Sequence, residues 1–413
     1  MHFPPFLSSA LLAGFALTAQ ASPTLPGVGA AMQAMVDQRE VAGAVTLVTT
    51  KDKIVHLEAT GLADIASGRP MQSDALFWLA SSTKPFTGVA ILILQDEGKL
   101  SLDDPVAKYI PEFSQLRTPS GKPANISIKQ LLTHTSGLGK TPLRYYLTGH
   151  LSGLVRGILG APMQFEPGER YQYGSDIDVA GRIVEIVSEK TFDVFLKERL
   201  FDPLGMRDTT FYPNRAQRKR LATCYYMDWS DHTLRVQAPP IPPFLLFLLP
   251  PVPGGGLYST AADLARFTQM LLNRGVLDQK RYLSDSSYTL LTTNQVGDLA
   301  DPFIGYGLGV NVIRSPHDGV TAFLSAGTFS HQGTWGTHVI VDPAKGFAYV
   351  LLVQRTRNHP SNFDNPQTYA FLQAAAGPRP CAGKNGQDLR NNLWGIRQNN
   401  PDANLQPQFI FLW

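Results

Sequence analysis

Apolar and polar residues alternate over two short segments near each end of the chain, which is the spacing of half-buried β-strands. The segments are residues 44–49 and 54–60 near the N-terminus, and residues 334–341 and 347–353 near the C-terminus. A short polar turn separates the two members of each pair. Each end of the chain is therefore predicted to form a β-hairpin.

In the central part of the chain the apolar residues recur every three or four positions, which predicts helices. In residues 176–188, for example, Val179, Ile183 and Val187 share one face. Further helices are predicted for residues 29–38, 127–132 with Ser127 as cap, 191–200, 260–273 opened by Thr260, and 366–376 followed by Gly377.

The simplest architecture pairs the terminal hairpins in one antiparallel sheet with helices on its faces. The central residues then form a mostly helical subdomain beside the sheet. This predicts an α/β fold of the α+β type, with one domain over residues 22–377. A functional site is expected in the cleft between the sheet and the helical subdomain.

The two ends of the chain differ from this domain. Residues 6–19 are apolar or small, and Ala19-Gln20-Ala21 has the small-x-small pattern of a secretory cleavage site. We therefore expect residues 1–21 to be a signal peptide and the mature protein to be periplasmic or secreted. Residues 378–413 are polar and rich in Asn and Gln, which is typical of a loosely ordered tail.

Composition excludes some functions. The net charge of +3 over 413 residues gives no electrostatic argument for nucleic-acid binding. The two cysteines, Cys224 and Cys381, could pair in an oxidising compartment or stay independent thiols. They lack metal-ligand spacing and no histidine cluster accompanies them, so neither a metal nor a cofactor is predicted.

One apolar stretch, residues 239–253, reads PPIPPFLLFLLPPVP. Its centre, residues 244–249, is too short to cross a membrane, and the flanking prolines exclude a long helix. Three interpretations stay open: a loop tucked into the protein, an apolar flap over the cleft, or a patch that makes weak contact with lipid or a partner.

The candidate chemistry begins at Ser81. From this residue the pattern is helical and strongly apolar through Leu94, so Lys84 lies one turn after Ser81 on the same face. A serine hydroxyl needs a base beside it, and a lysine amine can serve if burial lowers its pKa. Ser-x-x-Lys is a short motif, and alone it also fits an ordinary capped helix.

Further motifs follow in a fixed order. They are Leu131-Leu132-Thr133-His134-Thr135-Ser136-Gly137-Leu138, Tyr173-Gly174-Ser175, Pro203-Leu204-Gly205-Met206, Gly254-Gly255-Gly256-Leu257-Tyr258-Ser259-Thr260 and His331-Gln332-Gly333-Thr334. Together with Ser81 and Lys84 they resemble the serine β-lactamase and penicillin-binding-protein superfamily. The resemblance spans residues 29–376 and is strongest to class C β-lactamases and family VIII carboxylesterases.

This resemblance implies a role for each matched residue. Ser81 is the nucleophile, Lys84 its base, and Tyr173 a proton carrier between them and the leaving group. Ser175 stands where many relatives have Asn and is a candidate substrate-binding residue. The backbone N–H groups of Ser81 and Thr334 are expected to form the oxyanion hole.

The segment His331-Gln332-Gly333 departs from the family pattern. Many β-lactamases carry Lys-Thr-Gly there, and the lysine and threonine help bind the carboxylate of a β-lactam. His331, Gln332 and Gly333 are therefore expected to bind substrate without a strong anion clamp, which favours uncharged esters.

Other polar residues are interpreted as structural. His134 is expected to shape a loop turn, and Ser136 and Ser259 to lie in turn or capping sequences. Asp176 and Asp178 are expected to open a helix, where acidic side chains are favoured. The Pro253-Gly254-Gly255-Gly256 segment, called the glycine loop below, is predicted to be a tight turn beside the cleft.

The leading hypothesis is an exported carboxylesterase that acts on a small-molecule ester or amide through an acyl-enzyme on Ser81. A second hypothesis is a β-lactamase or a D-amino-acid peptidase of cell-wall metabolism. An acyltransferase is a third, because an alcohol or amine can intercept an acyl-enzyme in place of water. A non-catalytic binding module of the same fold is the fourth.

Overall fold

The computed structural model describes residues 23–139, 143–238, 248–356 and 365–377. Its strands form one large sheet and three two-stranded ribbons. In chain order the strands are β1 Gly43–Thr49, β2 Ile54–Asp64, β3 Arg69–Pro70, β4 Phe77–Trp78, β5 Tyr225–Asp228, β6 Thr233–Val236, β7 Tyr258–Ser259, β8 Val276–Leu277, β9 Lys280–Arg281, β10 Ile304–Tyr306, β11 Asn311–Ile313, β12 Phe329–Gln332, β13 His338–Asp342 and β14 Phe347–Leu352.

The large sheet joins the two ends of the chain. Its eight strands follow the order β10-β11-β12-β13-β14-β1-β2-β3, and every pairing is antiparallel. β1 pairs with β14, with Val45 opposite Leu352. The predicted association of the terminal hairpins is therefore confirmed, and β1 is buried at all seven positions because helices cover both faces.

The helices are α1 Val28–Asp37, α2 Lys84–Asp96, α3 Ile128–Leu132, α4 Leu151–Leu159, α5 Asp176–Ser188, α6 Phe192–Leu196, α7 Asp202–Leu204, α8 Arg215–Arg220, α9 Ala261–Leu272, α10 Asp285–Thr292 and α11 Pro366–Ala375. α1 and α11 pack together over one face of the sheet, around Met32, Tyr349 and Phe371. α9 covers the other face and contacts β1, β13 and β14.

α2 is the buried helix that carries the first motif. Every side chain from Lys84 to Leu94 is buried, because the helix packs against α5 on one side and α10 on another. A helix that is apolar nearly all round requires such an environment. The central helices α3, α4 and α6 pack against α5, and α5 packs against α2, which matches the predicted helical subdomain.

Two predicted elements differ from the structure. The segment 334–341 does not form one strand: β12 ends at Gln332, a turn follows, and β13 begins at His338. The turn closes through the Gly333 N–H, which donates to the Thr337 carbonyl at 2.7 Å. The helix predicted for residues 191–200 is α6 followed by one π-helical turn, Lys197–Phe201.

Several predictions fall on residues that the structure does not describe. The signal peptide at residues 1–21, the tail at 378–413 with Cys381, and residues 239–247 of the apolar stretch all lie there. The thiol of Cys224 donates to Oε1 of Gln354 at 2.9 Å. Among the described residues, no helix has the length and hydropathy needed to span a membrane.

Candidate active site

Ser81 lies on a 3-10 turn, Ala80–Thr83, that leads directly into α2. The expected position at the start of the helix is therefore confirmed, with one 3-10 turn preceding the α-helix. Ala80 has a φ of 47°, a left-handed conformation that costs a non-glycine residue about 1–2 kcal/mol. Such strain beside a reactive residue is held only when the surrounding contacts determine the conformation.

The Lys84 amine lies beside the Ser81 hydroxyl. Its Nζ is 3.1 Å from Oγ of Ser81 and donates to the carbonyl of Gly254 at 2.7 Å. Burial of the side chain lowers the pKa of Lys84 to about 7, although the carboxylates of Asp178 and Asp176 oppose the shift. The amine is thus partly unprotonated near neutral pH and can accept the serine proton.

Asp178 is the residue on the other side of the glycine loop. Its side chain is fully buried, and Oδ1 accepts the N–H of Gly254 at 2.7 Å. Burial raises the pKa of Asp178 to about 6, and the nearby Lys84 counters that rise. The sequence predicts only that Asp178 lies at the start of a helix, as it does in α5. The spacing of residues in this helix does not indicate that the Asp178 side chain faces Lys84.

Tyr173 completes the group that the sequence predicted. Its ring centroid lies 4.7 Å from Nζ of Lys84. With 36% of the residue exposed, it stands between the buried lysine and solvent. The structure therefore brings Tyr173 to Ser81 and Lys84, although it lies about ninety residues further along the chain.

β12 lies against the segment that carries Ser81. The Ser82 hydroxyl donates to the His331 carbonyl at 3.0 Å, and the Thr337 hydroxyl donates to the Leu79 carbonyl at 2.8 Å. A Cβ on Gly333 would lie 2.2 Å from the Leu79 oxygen, so only glycine fits there. This contact places the turn that contains Thr334 beside the Ser81 segment.

The His331 ring is held inside the protein. Its Nδ1 lies 2.9 Å from the Gln332 carbonyl, which can only accept, so Nδ1 carries the hydrogen. Nε2 then accepts the Tyr306 hydroxyl at 3.2 Å. Burial lowers the pKa of His331 well below its ordinary value, so the ring is neutral.

These contacts limit what the predicted substrate-binding residues can do. Both ring nitrogens of His331 are used inside the protein, so its ring can offer a substrate contact but no N–H donor. Oε1 of Gln332 is buried, and no described residue hydrogen-bonds it. Ser175 lies at the start of α5, and its Oγ is 3.4 Å from the Tyr146 hydroxyl.

Three aromatic side chains form a cluster next to the Ser81 segment, and no sequence pattern predicts it. The Trp78 ring lies 5.1 Å from that of Trp335 and 5.8 Å from that of Tyr258. The indole N–H of Trp78 donates to the Gly255 carbonyl at 2.8 Å. Trp78 precedes Ser81 by three residues, and Trp335 follows Thr334 directly. The segments that carry Ser81 and Thr334 therefore also carry the residues of this apolar cluster.

The residues interpreted as structural form packed contacts. The glycine loop is a tight turn, with the Gly255 and Gly256 N–H groups donating to the Val252 carbonyl. Ser259 is hydrogen-bonded to Thr209 at 2.8 Å. In the described part of the chain, no group of three or more His, Cys, Asp or Glu side chains could hold a metal ion.

Comparison with known proteins agrees with this architecture. Residues 28–374 match the family described as Beta-lactamase, and the chain belongs to that family. It is a serine hydrolase. The chain is 34% identical to Protein Rv1367c of Mycobacterium tuberculosis over 80% of its own length and 90% of that protein.

The names of two further similar proteins state an activity. Esterase EstB of Burkholderia gladioli is 32% identical over 84% of this chain and 95% of its own. A solved structure titled EstCE1, a hydrolase with promiscuous acyltransferase activity, superposes with a TM-score of 0.74 and 24% identity over 85% of this chain and 97% of its own. The second likeness shows the β-lactamase-type fold.

Proposed function

We propose that the protein is an exported carboxylesterase that works through an acyl-enzyme on Ser81. The observation that carries the proposal is the buried Lys84 amine, 3.1 Å from Oγ of Ser81, with Tyr173 on its solvent side. Fully buried lysines are rare unless a partner or a function requires them. Here the neighbours of the amine are the Ser81 hydroxyl and the Tyr173 ring, which acyl transfer would use as nucleophile and proton carrier.

The reaction follows from this geometry. The Ser81 hydroxyl oxygen attacks the ester carbonyl carbon while its proton passes to the neutral Lys84 amine. The backbone N–H groups of Ser81 and Thr334 bind the negative charge on the carbonyl oxygen. The ester C–O bond then breaks, and the leaving alkoxide takes a proton through Lys84 and Tyr173. Water attacks the acyl-enzyme in the second half and releases the acid.

Ester specificity is supported by the surroundings of β12. His331 is neutral, and residues 331–334 contain no lysine or arginine that could hold a substrate carboxylate. The aromatic rings of Trp78 and Trp335 favour an uncharged acyl group. The name of the Burkholderia gladioli relative, an esterase, points the same way.

A direct assay tests the activity. The purified protein should hydrolyse short p-nitrophenyl esters faster than the cephalosporin nitrocefin, and a fluorophosphonate probe should label it. The Ser81→Ala variant is the matched control and should show neither reaction. Efficient nitrocefin hydrolysis without ester turnover would favour a β-lactamase, and no labelling above the Ser81→Ala background would favour a binding module.

Export is part of the same proposal. Residues 1–21 are the proposed signal peptide, and residues 22–377 the proposed hydrolase domain. Mass spectrometry of the protein from the periplasm or medium of an expressing bacterium should give a mature N-terminus at Ser22. A chain that stays in the cytoplasm with Met1 intact would contradict it. Weak lipid contact through residues 244–249 can be checked by cosedimentation with vesicles.

A further inference from the structure

His134 and Asp176 form a buried pair that the reaction above does not use. Nδ1 of His134 lies 2.8 Å from Oδ2 of Asp176. His134 is fully buried and Asp176 is 4% exposed. The other carboxylate oxygen accepts the hydroxyl of Ser136. Residues 133–137, called the His134 loop below, are therefore bound to the start of α5 through both oxygens of one carboxylate.

The His134 loop also contacts both sequence neighbours of Tyr173. The Gln172 N–H donates to the His134 carbonyl at 2.9 Å, and the Gly174 nitrogen lies 3.3 Å from Nδ1 of His134. His134 itself has a φ of 55°, a left-handed conformation that is uncommon for a residue with a Cβ. The backbone of Gln172 is thus hydrogen-bonded to His134, and the backbone of Gly174 lies against its ring.

The side chains continue this contact towards the nucleophile. The ring centroids of His134 and Tyr173 are 4.6 Å apart. The Tyr173 centroid in turn lies 4.7 Å from Nζ of Lys84. A continuous series of contacts therefore leads from the Asp176 carboxylate through His134 and Tyr173 to Lys84.

The His134 ring is neutral in its position beside Tyr173 and Lys84. Burial lowers the pKa of His134 below its ordinary value, more strongly than Asp176 raises it. A neutral ring with Nδ1 donating to Asp176 has no hydrogen on Nε2. That atom is buried, and no residue in the described ranges hydrogen-bonds it. The ring therefore places no positive charge beside Lys84, and Asp176 places a negative one.

We propose that His134 and Asp176 are positioning residues for acyl transfer at Ser81. The pair holds Tyr173 against Lys84. The Asp176 carboxylate stabilises Lys84 after the O–H bond of Ser81 has broken and the proton has formed a new N–H bond on the amine. This inference rests on the proposed function. It adds a role to the sequence-based interpretation, in which His134 shapes a loop and Asp176 opens a helix, as Asp176 does at the start of α5.

The test separates the two parts of the pair. His134→Asn keeps an N–H donor for Asp176 and tolerates a positive φ, but it removes the ring that packs on Tyr173. Asp176→Asn removes the charge. The charged, titratable or aromatic groups that face Lys84 are Asp176, Asp178, Tyr173, His134 and His331. Of these, the two carboxylates raise its pKa, and the face of the Tyr173 ring also favours the protonated amine.

The measurements are the rate of fluorophosphonate labelling of Ser81 and kcat and KM for p-nitrophenyl butyrate, each across pH. His134→Asn should lower the labelling rate and kcat by about tenfold to a hundredfold, with KM little changed and the acidic limb of the pH profile unmoved. Asp176→Asn should lower both rates similarly and also move that limb to lower pH, because Lys84 loses a carboxylate that raises its pKa.

The control is Ser127→Ala, which removes the cap of α3, the helix leading into the His134 loop, without touching the site. It should cost about 1 kcal/mol of stability and leave the labelling rate unchanged. Folded variants that label as fast as the wild type would overturn the positioning role. So would rate losses matched by Ser127→Ala at equal loss of stability. If wild-type Ser81 is not labelled at all, the proposed function itself fails, and the positioning role with it.

Discussion

Lys84 and Asp178 are buried together and bind opposite ends of the same residue. The amine donates to the Gly254 carbonyl at 2.7 Å, and the carboxylate accepts the Gly254 N–H at 2.7 Å. Burial moves the pKa of the lysine down to about 7 and that of the aspartate up to about 6. Burial thus brings the pKa of an acid and that of a base, which differ by several units in water, close to each other beside Ser81.

The first prediction concerns the pH dependence of the wild type. Only the unprotonated amine can take the serine proton, so kcat/KM should rise with pH and level off above the pKa of Lys84, about 7. A pH profile with a p-nitrophenyl ester, corrected for spontaneous hydrolysis, measures the midpoint. A profile that is flat from about pH 5 to 9 would contradict this role of Lys84.

The second prediction concerns Asp178→Asn. The amide can still accept the Gly254 N–H, but the charge that raises the pKa of Lys84 is gone. The pKa of Lys84 should therefore fall, and the acidic limb of kcat/KM should move to lower pH. Asp52→Asn, at an exposed hairpin residue, is the control and should leave the limb in place. A limb that moves to higher pH would disprove the electrostatic argument.

The third prediction concerns Tyr173→Phe. The ring stays over Lys84 while the hydroxyl, which is proposed to carry protons to the leaving group, is lost. We expect kcat to fall by about 10²–10⁴-fold, with little change in KM or in thermal stability, because the group acts in the transition state. Steady-state kinetics and a thermal melt check this. A variant with wild-type kcat would remove Tyr173 from the mechanism.

The fourth prediction concerns Gly333→Ala. The added methyl group would lie 2.2 Å from the Leu79 carbonyl, so β12 and the Ser81 segment must move apart. Since a shift of about 1 Å can cost about a hundredfold in rate, kcat should drop by at least tenfold. Gly160→Ala is the matched control, because its Cβ meets only ordinary contacts of 3.5 Å or more. Equal activity of the two variants would show that the contact does not hold the site.

Local patterns predicted several elements well. The helix predicted for residues 176–188 agrees with α5, Asp176–Ser188, because the 3.6-residue repeat of its apolar face is a local property. Ser127 caps α3, and its capping box with Gln130 is closed within four residues. The break between β12 and β13 was missed, since it depends on the Gly333–Thr337 hydrogen bond and on the space beside Leu79.

The sequence by itself placed the proposed nucleophile and its proposed base side by side. Ser81 and Lys84 are three residues apart at the start of one helix, and that spacing alone places both side chains on one face. Tyr173 and Gly333 could be assigned because they belong to motifs in a fixed order. Their neighbours Asp178 and Trp335 carry no such local signal.

The tertiary structure decided how these residues are set for chemistry. The pKa of Lys84 depends on its burial and on carboxylates from α5. The neutral state of His331 depends on its burial and on the nearby charge of Lys84, which both lower its pKa. Tyr306 binds that ring from a different strand of the sheet. Desolvation and charge act through space, so they arise only when segments distant in the chain are packed together.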